Sequence, residues 1–589
     1  MLVWAPVVDW TWVVPVVVVT TLSFWMAWVP LATATTGNRV VRDQFFLWLS
    51  DLHLDPFYGT DRAVGIPGSH CFDDSIPSYG QLGCDSPFRL VEATIRQASQ
   101  WNVSFVIVTG DLCRHGTDQL DDPLASTQGI LANVSQLLRH YLPDVSIILS
   151  IGNNDVTPDY YLDINDPMEV LSMVAQGLDV LMESDEERTF LLQGGFFARN
   201  VSDSLTILSL NTLIYSTSHI PHNRWYHGQV TDPLAQFAWL ERQLVFAAMT
   251  NRHVYIIGHI PPSMGSYRHS QLWQEPYLDT YYSILQNHSS VIRGQFFGHL
   301  HADEFRWIES TNLGSSGDGD GDGDEDEDED EDGDHVPPSS WPLWIASSIT
   351  PVYGSNPSYR LVSFDASTGA LLDYDTVYLN LLSEESTLEW KQGPSFRDSF
   401  SVPDLSPYQV GSLVQTLNDS ITDSESTLWQ NLVNRQHVYI HESALPCQEV
   451  SCRRAWICTI LTITAKEYST CLGNGGANTI QVAWARLSLQ ERILVCTLLI
   501  LFGLVTTIWC LCRFGSTYFR RRHYQEHVSM HDDDHDDGVD GGTSRKNTTT
   551  SKKMVLTLPT APSSSMEASY HRNGQDNDVP ELSTIPSIT

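Results

Sequence analysis

The chain has 589 residues and a formal net charge of −38, with 42% of its residues apolar. That length allows more than one domain and a large core. The acidic balance, with no basic stripe to neutralise phosphates, excludes general nucleic-acid binding.

An apolar run extends from Trp10 to about Leu31, and "ATA" follows at 32–34 with the small-x-small form of a signal-peptidase site. Residues 1–34 are expected to be a signal peptide. The run lacks a basic start and is long enough to span a bilayer, so an uncleaved signal anchor is the rival reading. From 40 to about 380, apolar runs alternate with polar loops and amphipathic segments. The runs "FFLWLS" (45–50), "FVIVTG" (105–110), "SIILSIG" (146–152), "LTILSLN" (205–211), "HVYIIGH" (253–259) and "RGQFFGH" (293–299) read as short buried strands. "RLVEATIRQASQW" and "PLAQFAWLERQLVFAAM" read as helices packed on them. The alternation predicts an α/β fold, a layered β-sandwich flanked by helices.

Cys71 and Cys84 flank a Gly/Pro/Ser-rich loop and read as a disulfide; Cys113 is left over as a free, buried thiol. Residues 318–334 are almost wholly Asp, Glu and Gly, so 314–338 reads as a solvated, disordered insert, with a calcium site as the rival. Residues 381–475 are helix-rich and end in Cys447, Cys452, Cys458 and Cys471, which read as two disulfides, or alternatively as a zinc knuckle.

Residues 493–512 are free of charge and precede Arg513 and the "RRR" at 520–522, the pattern of a transmembrane helix with a cytoplasmic tail over 513–589. The part before it is then lumenal or extracellular, as a single-pass type I protein of the plasma membrane, a lysosome or a vacuole. Sequons at Asn102, Asn133, Asn200, Asn287 and Asn418 agree with that side.

One feature recurs through the first domain. Ligand-type residues follow the apolar runs: Asp51 and His53 in "DLHLD", Asp111 and His115 in "GDLCRH", Asn153 in "GNND", His259 in "GHIPP", and His299 with His301 in "GHLHADEF". Sites in open α/β sheets lie at such strand ends. Two divalent ions about 4 Å apart that clamp a phosphoryl group need these residue types. D-x-H puts two side chains on one side of an extended strand end, and H-x-H repeats that logic. The glycines before Asp111, Asn153, His259 and His299 are expected to let the backbone turn sharply there.

The series resembles the calcineurin-like metallophosphoesterases, with their D-x-H, G-D, G-N-H, G-H and G-H-x-H motifs. "DLHLDPFY", "CDSPFRL", "VYIIGHIPP", "GQFFGHLHADEF" and the closing "CQEVSCRRAWICTI" narrow this to a likeness with the acid-sphingomyelinase-like phosphodiesterases over roughly 44–471. The cysteine cluster is a feature of that family. "GNNDVTPDYY" is also similar to the endopolyphosphatases, which are kept as an alternative. The resemblance implies one zinc held by Asp51, His53 and His301, and a second held by Asn153, His259 and His299, with Asp111 bridging. Manganese or iron would suit the same ligands. It implies a hydroxide on the metals attacking a phosphodiester or phosphoanhydride of a lipid headgroup, a nucleotide-derived diphosphate or polyphosphate. Asn154 stands where sphingomyelinases carry the His of G-N-H. A second His of the family lies four residues beyond the bridging Asp, so the resemblance implies that His115 protonates the leaving group or binds a phosphate oxygen, with Asn154, a poor general acid, orienting phosphoryl oxygens. Asp155 is expected to hold the loop. A catalytically dead, membrane-bound binding module is the reading from another class.

Overall fold

The computed structural model describes residues 43–72, 76–221, 230–308, 341–382, 388–440 and 447–473. The expected signal peptide, acidic insert, transmembrane helix and tail lie outside these residues. Among the described residues no helix is long and apolar enough to cross a membrane.

The first half alternates strand and helix. β1 (Asp43–Leu49), α1 (Phe88–Ala98), β2 (Phe105–Val108), α2 (Pro123–Tyr141), β3 (Ser146–Leu149), α3 (Met168–Leu178) and α4 (Asp185–Gly194) come first. β4 (Phe197–Asn200), β5 (Leu205–Ser209), α5 (Gln236–Met249), β6 (His253–Ile257), α6 (Glu275–Asn287) and β7 (Ile292–Phe297) follow. Strands β8 (Glu304–Ile308), β9 (Trp341–Ile345), β10 (Ser358–Asp365), β11 (Leu371–Leu379) and β12 (Trp390–Gln392) complete the sheets. The chain then turns helical in α7 (Phe396–Phe400), α8 (Pro407–Asp419), α9 (Thr427–Gln436), α10 (Val450–Leu461) and α11 (Ala465–Cys471).

Two six-stranded mixed sheets result, in the orders β12-β11-β10-β1-β2-β3 and β4-β5-β6-β7-β9-β8. The chain order of β1, β2 and β3, and of β5, β6 and β7, makes them parallel neighbours joined by helices. Their Val-, Ile-, Leu- and Phe-rich sequences suit strands buried on both faces. The sheets pack face to face through aromatic side chains. Phe46 of β1 meets Tyr255 of β6 and Phe296 of β7 at ring-centroid distances of 5.9 and 5.6 Å, and Trp48 meets Phe296 at 5.1 Å. The expected sandwich is therefore present.

The helix-rich segment is integral to the sandwich. β12 extends the first sheet, and Phe396, Leu413, Trp429 and Ile457 belong to the same apolar core as β1 and β7. Disulfides join Cys71 to Cys84, Cys447 to Cys452 and Cys458 to Cys471. That leaves no thiolate for a zinc knuckle, and Cys113 is free and buried. Asn102, Asn133, Asn200 and Asn287 are exposed, while Asn418 is half-buried.

Candidate metal centre

The polar strand ends converge where the two sheets meet. Backbone hydrogen bonds hold the first two loops together, from Asp51 N to Gly110 O (3.1 Å) and from His53 N to Asp111 O (3.0 Å). Another, from Gly298 N to His259 O (2.9 Å), holds the loops after β6 and β7.

Here the D-x-H expectation needs correction. β1 ends at Leu49, and neither pair lies on extended backbone. Asp51 (φ 50°), His53 (φ 43°), Asp111 (φ 54°), His299 (φ 73°) and His301 (φ 54°) all adopt left-handed backbone conformations. Non-glycine residues are rare there and cost about 1–3 kcal/mol each, a strain concentrated at functional sites. The glycines also act differently from the expected sharp turn. Only Gly110 among the four has a positive φ. Gly152 is required by proximity, because a Cβ there would lie 2.1 Å from Asp111 Oδ1. At Gly298 a Cβ would lie 2.1 Å from Ser50 Oγ.

The side chains form two groups around one carboxylate. Asp111 Oδ2 is 3.4 Å from His53 Nε2 and 3.1 Å from His259 Nε2. On one side, His301 Nε2 is 3.4 Å from Asp51 Oδ1. On the other, His259 Nε2 is 3.0 Å from Asn153 Oδ1, and the His259 and His299 rings are 5.1 Å apart. All seven expected ligands are thus brought together, with His299 and His301 serving different groups. His115 joins the first group as well: its donor atom lies within 4.8 Å of those of His53 and His301, and its ring stacks on His53 at 4.1 Å.

These residues fit divalent cations. Among the described residues, both ring nitrogens of His53 and Nδ1 of His301 are buried without a hydrogen-bond partner, an arrangement that is costly unless something else engages them. Burial, then the neighbouring imidazole of His115, pushes His53 down to about 4. Burial, then His259, pushes His299 down to about 3, and burial with His53 lowers His301 well below its ordinary value. Neutral imidazoles are what a metal binds. Burial opposes ionisation of Asp111, but His259 and His53 hold its carboxyl well below the usual range. Burial raises Asp51 to about 7, with Asp111 adding to the effect and His259 opposing it.

A supporting layer orients these groups. His259 Nδ1 lies 2.7 Å from the Thr109 carbonyl, which turns Nε2 into the site. Thr212 Oγ1 accepts from the backbone N–H of His259 (3.1 Å) and Ile260 (2.8 Å). Asn154 is recast by the geometry. Its backbone N–H and its Nδ2 donate to the two oxygens of Asp111 at 2.8 and 2.7 Å, so its amide positions this carboxylate instead of facing the cleft. Asp155 holds the loop as expected, accepting from the backbone N–H groups of Asp111 (2.9 Å), Leu112 (2.7 Å), Cys113 (3.1 Å) and Gly152 (2.8 Å). Asp155→Ala is expected to lower unfolding free energy by at least about 3 kcal/mol, because four buried donors lose their acceptor. Urea unfolding checks this, and a loss under about 1 kcal/mol would refute it.

Sequence reasoning gave no role to Asp85 or Tyr353. The Asp85 carboxylate lies 2.9 Å from His115 Nδ1 and accepts from the His115 backbone N–H at 2.9 Å. The Tyr353 hydroxyl is 3.3 Å from His115 Nε2, and its ring packs edge-on against His301. The aspartate after Cys84 was the available signal, since the disulfide fixes it beside the loop. Burial opposes protonation of His115, but Asp85 raises it to about 9.

The comparisons with known proteins agree with this geometry. The family model described as calcineurin-like phosphoesterase matches residues 46–303, and that for the acid sphingomyelin phosphodiesterase C-terminal region matches 335–478. The chain is 30% identical to a cyclic GMP-AMP phosphodiesterase of Mus musculus, over 75% of this chain and 94% of the relative. It is 28% identical to the human acid sphingomyelinase-like phosphodiesterase 3b, over 81% and 99%. It is 29% identical to a sphingomyelinase phosphodiesterase D of Dictyostelium discoideum, over 67% and 81%. The chain belongs to the acid-sphingomyelinase-like phosphodiesterases, a branch of the calcineurin-like metallophosphoesterases with their dinuclear-metal hydrolase fold.

Proposed function

We propose that this chain hydrolyses phosphodiesters in the secretory pathway with two zinc ions, as a type I membrane enzyme. The observation that carries the reading is the pair of donor groups meeting at Asp111 Oδ2, with His115 at their rim. Asp51, His53 and His301 would hold one ion, Asn153, His259 and His299 the other, and Asp111 both. Ions in this set would supply Lewis acidity at the phosphoryl group and a water that ionises near neutral pH.

The chain's own groups do the rest. Asp85 fixes His115 through Nδ1, and the partly exposed ring keeps Nε2 beside the Tyr353 hydroxyl. From there His115 gives its proton to the leaving oxygen or donates to a phosphoryl oxygen. Asn154 keeps the Asp111 carboxylate aimed between His53 and His259. In this reading residues 1–34 are the secretory leader, 40–380 the catalytic part, 381–475 the disulfide-bonded helical part, and 493–512 the anchor with its tail in the cytoplasm. The names of the relatives join a cyclic dinucleotide and sphingomyelin, both phosphodiesters, which supports that bond as the substrate class.

His115→Gln is expected to lower turnover about a hundredfold with metal content unchanged, the scale of a lost general acid. Unchanged turnover would remove His115 from the mechanism. The wider test is a panel on the purified chain: a chromogenic phosphodiester, sphingomyelin, nucleotide diphosphate esters and long-chain polyphosphate. Turnover of a diester is expected. Cleavage of polyphosphate alone would make it an endopolyphosphatase, and bound metal with no turnover would make it a binding module.

A further inference from the structure

We infer that the groove between α4 and α5, on the outside of the second sheet, is the seat of an N-linked glycan carried by Asn200. The groove has a volume of about 520 Å³, and Asn200 itself lines it together with Phe190, Phe246, Glu186, Arg242 and Gln243. That volume is in the range of small-ligand sites. The inference rests on the lumenal placement proposed above.

The attachment point is built into the sheet edge. Asn200 is the last residue of the edge strand β4, opposite Thr206 of β5. Thr206 Oγ1 donates to Asn200 Oδ1 at 2.7 Å and accepts from Arg252 Nε at 2.8 Å. The amide oxygen is thereby held against the sheet. Among the described residues, Nδ2, the atom that a glycan uses, has no hydrogen-bond partner. Glycosylation joins this nitrogen to C1 of the first sugar as the C1–O bond of a lipid-pyrophosphate-linked oligosaccharide breaks. The nitrogen loses one proton, and the pyrophosphate leaves on its carrier.

The groove has the chemistry a sugar needs. Phe246 is 57% exposed, which is unusual for an aromatic ring on a helix whose other face supplies the buried Phe237, Leu240 and Leu244. The half-buried Phe190 stands across from it, backed by Phe196 and Trp239. The C–H face of an N-acetylglucosamine covers aromatic surface, while its hydroxyls reach the charged rim of Glu186 and Arg242. A glycan there removes the exposed apolar patch that Phe246 forms with Val245 and Met249. Asn133, on the exposed face of α2, is the internal comparison, because it does not line this groove.

The test is native deglycosylation of the full chain made in a secretory eukaryotic host, followed by site-resolved glycopeptide mass spectrometry. The Asn200 glycan is expected to be released from the folded protein at least about tenfold more slowly than that at Asn133, and equally fast after denaturation. Phe246→Ser, at an exposed position, is expected to abolish the difference. Asn200→Gln is expected to increase binding of a hydrophobic dye. Equal release rates at the two sites in the folded protein would overturn the seat, as would a bare Asn200 beside occupied sequons. A chain with no glycan at any of the five sequons would overturn the lumenal reading and the seat with it.

Discussion

Replacing Asp111 by Asn is expected to lower phosphodiester turnover roughly a thousandfold, about 4 kcal/mol in activation free energy, and to leave the protein with less than its full complement of divalent metal. The reason is geometric. Asp111 Oδ2 stands between His53 Nε2 and His259 Nε2, and both its oxygens already accept from Asn154. An amide at this position brings no charge. It also turns an N–H group toward either the histidines or the Asn154 donors. Among the described residues Asp111 is the one side chain grouped both with Asp51 and His53 and with His259 and His299, so none of them takes over its function. Asn154→Ala, which leaves the carboxylate but frees it to turn, is expected to cost only about 10- to 100-fold, the range for groups that orient a ligand. Metal analysis of both variants beside turnover of a chromogenic diester separates the two effects. An Asp111→Asn protein with full metal and turnover within about tenfold of the parent would refute the shared position.

The parts of this arrangement differed in how legible they were. The strands could be read because β1, β2, β3, β5, β6 and β7 are largely buried on both faces, so runs of apolar residues dominate them. The ligands could be read because each polar group directly follows such a run. The backbone there could not, because Asp and His, although enriched among non-glycine residues with positive φ, adopt left-handed conformations too rarely for Asp51, His53, Asp111, His299 and His301 to be singled out. The sheet order was equally hidden. β9 inserts between β7 and β8, and its run "WPLWI" lies beyond the acidic insert. Asp85 escaped because its partnership with His115 spans 30 positions and depends on the loop closed by Cys71 and Cys84. Asp303 escaped because an acidic pair in "HADEF" reads as solvated surface.

Asp303 carries the largest expected effect on stability. It lies two residues beyond His301 and is buried, and its two oxygens gather four donors. They are Arg360, Tyr374 Oη (2.8 Å), Thr376 Oγ1 (2.9 Å) and Arg435 Nη2 (3.2 Å). One carboxylate thus ties the loop after β7 to β10, β11 and α9. Asp303→Ala leaves two guanidinium groups buried without their counter-charge, and is expected to lower unfolding free energy by about 3–5 kcal/mol. Burial opposes ionisation of Asp303, but Arg360 and Arg435 hold its carboxyl below the ordinary value. A lowered folded pKa means stability that is present above the unfolded value of about 4 and lost as pH falls below it. The gap between the parent and Asp303→Asn in urea unfolding is therefore expected to stay level from pH 7 to about 5 and to close below about 4. In an acidic lumen near pH 5 the tie would still hold. A gap that persists unchanged into strong acid, or an alanine variant within about 1 kcal/mol of the parent, would show that the arginines, and not the carboxylate, hold the helical part to the catalytic sheets.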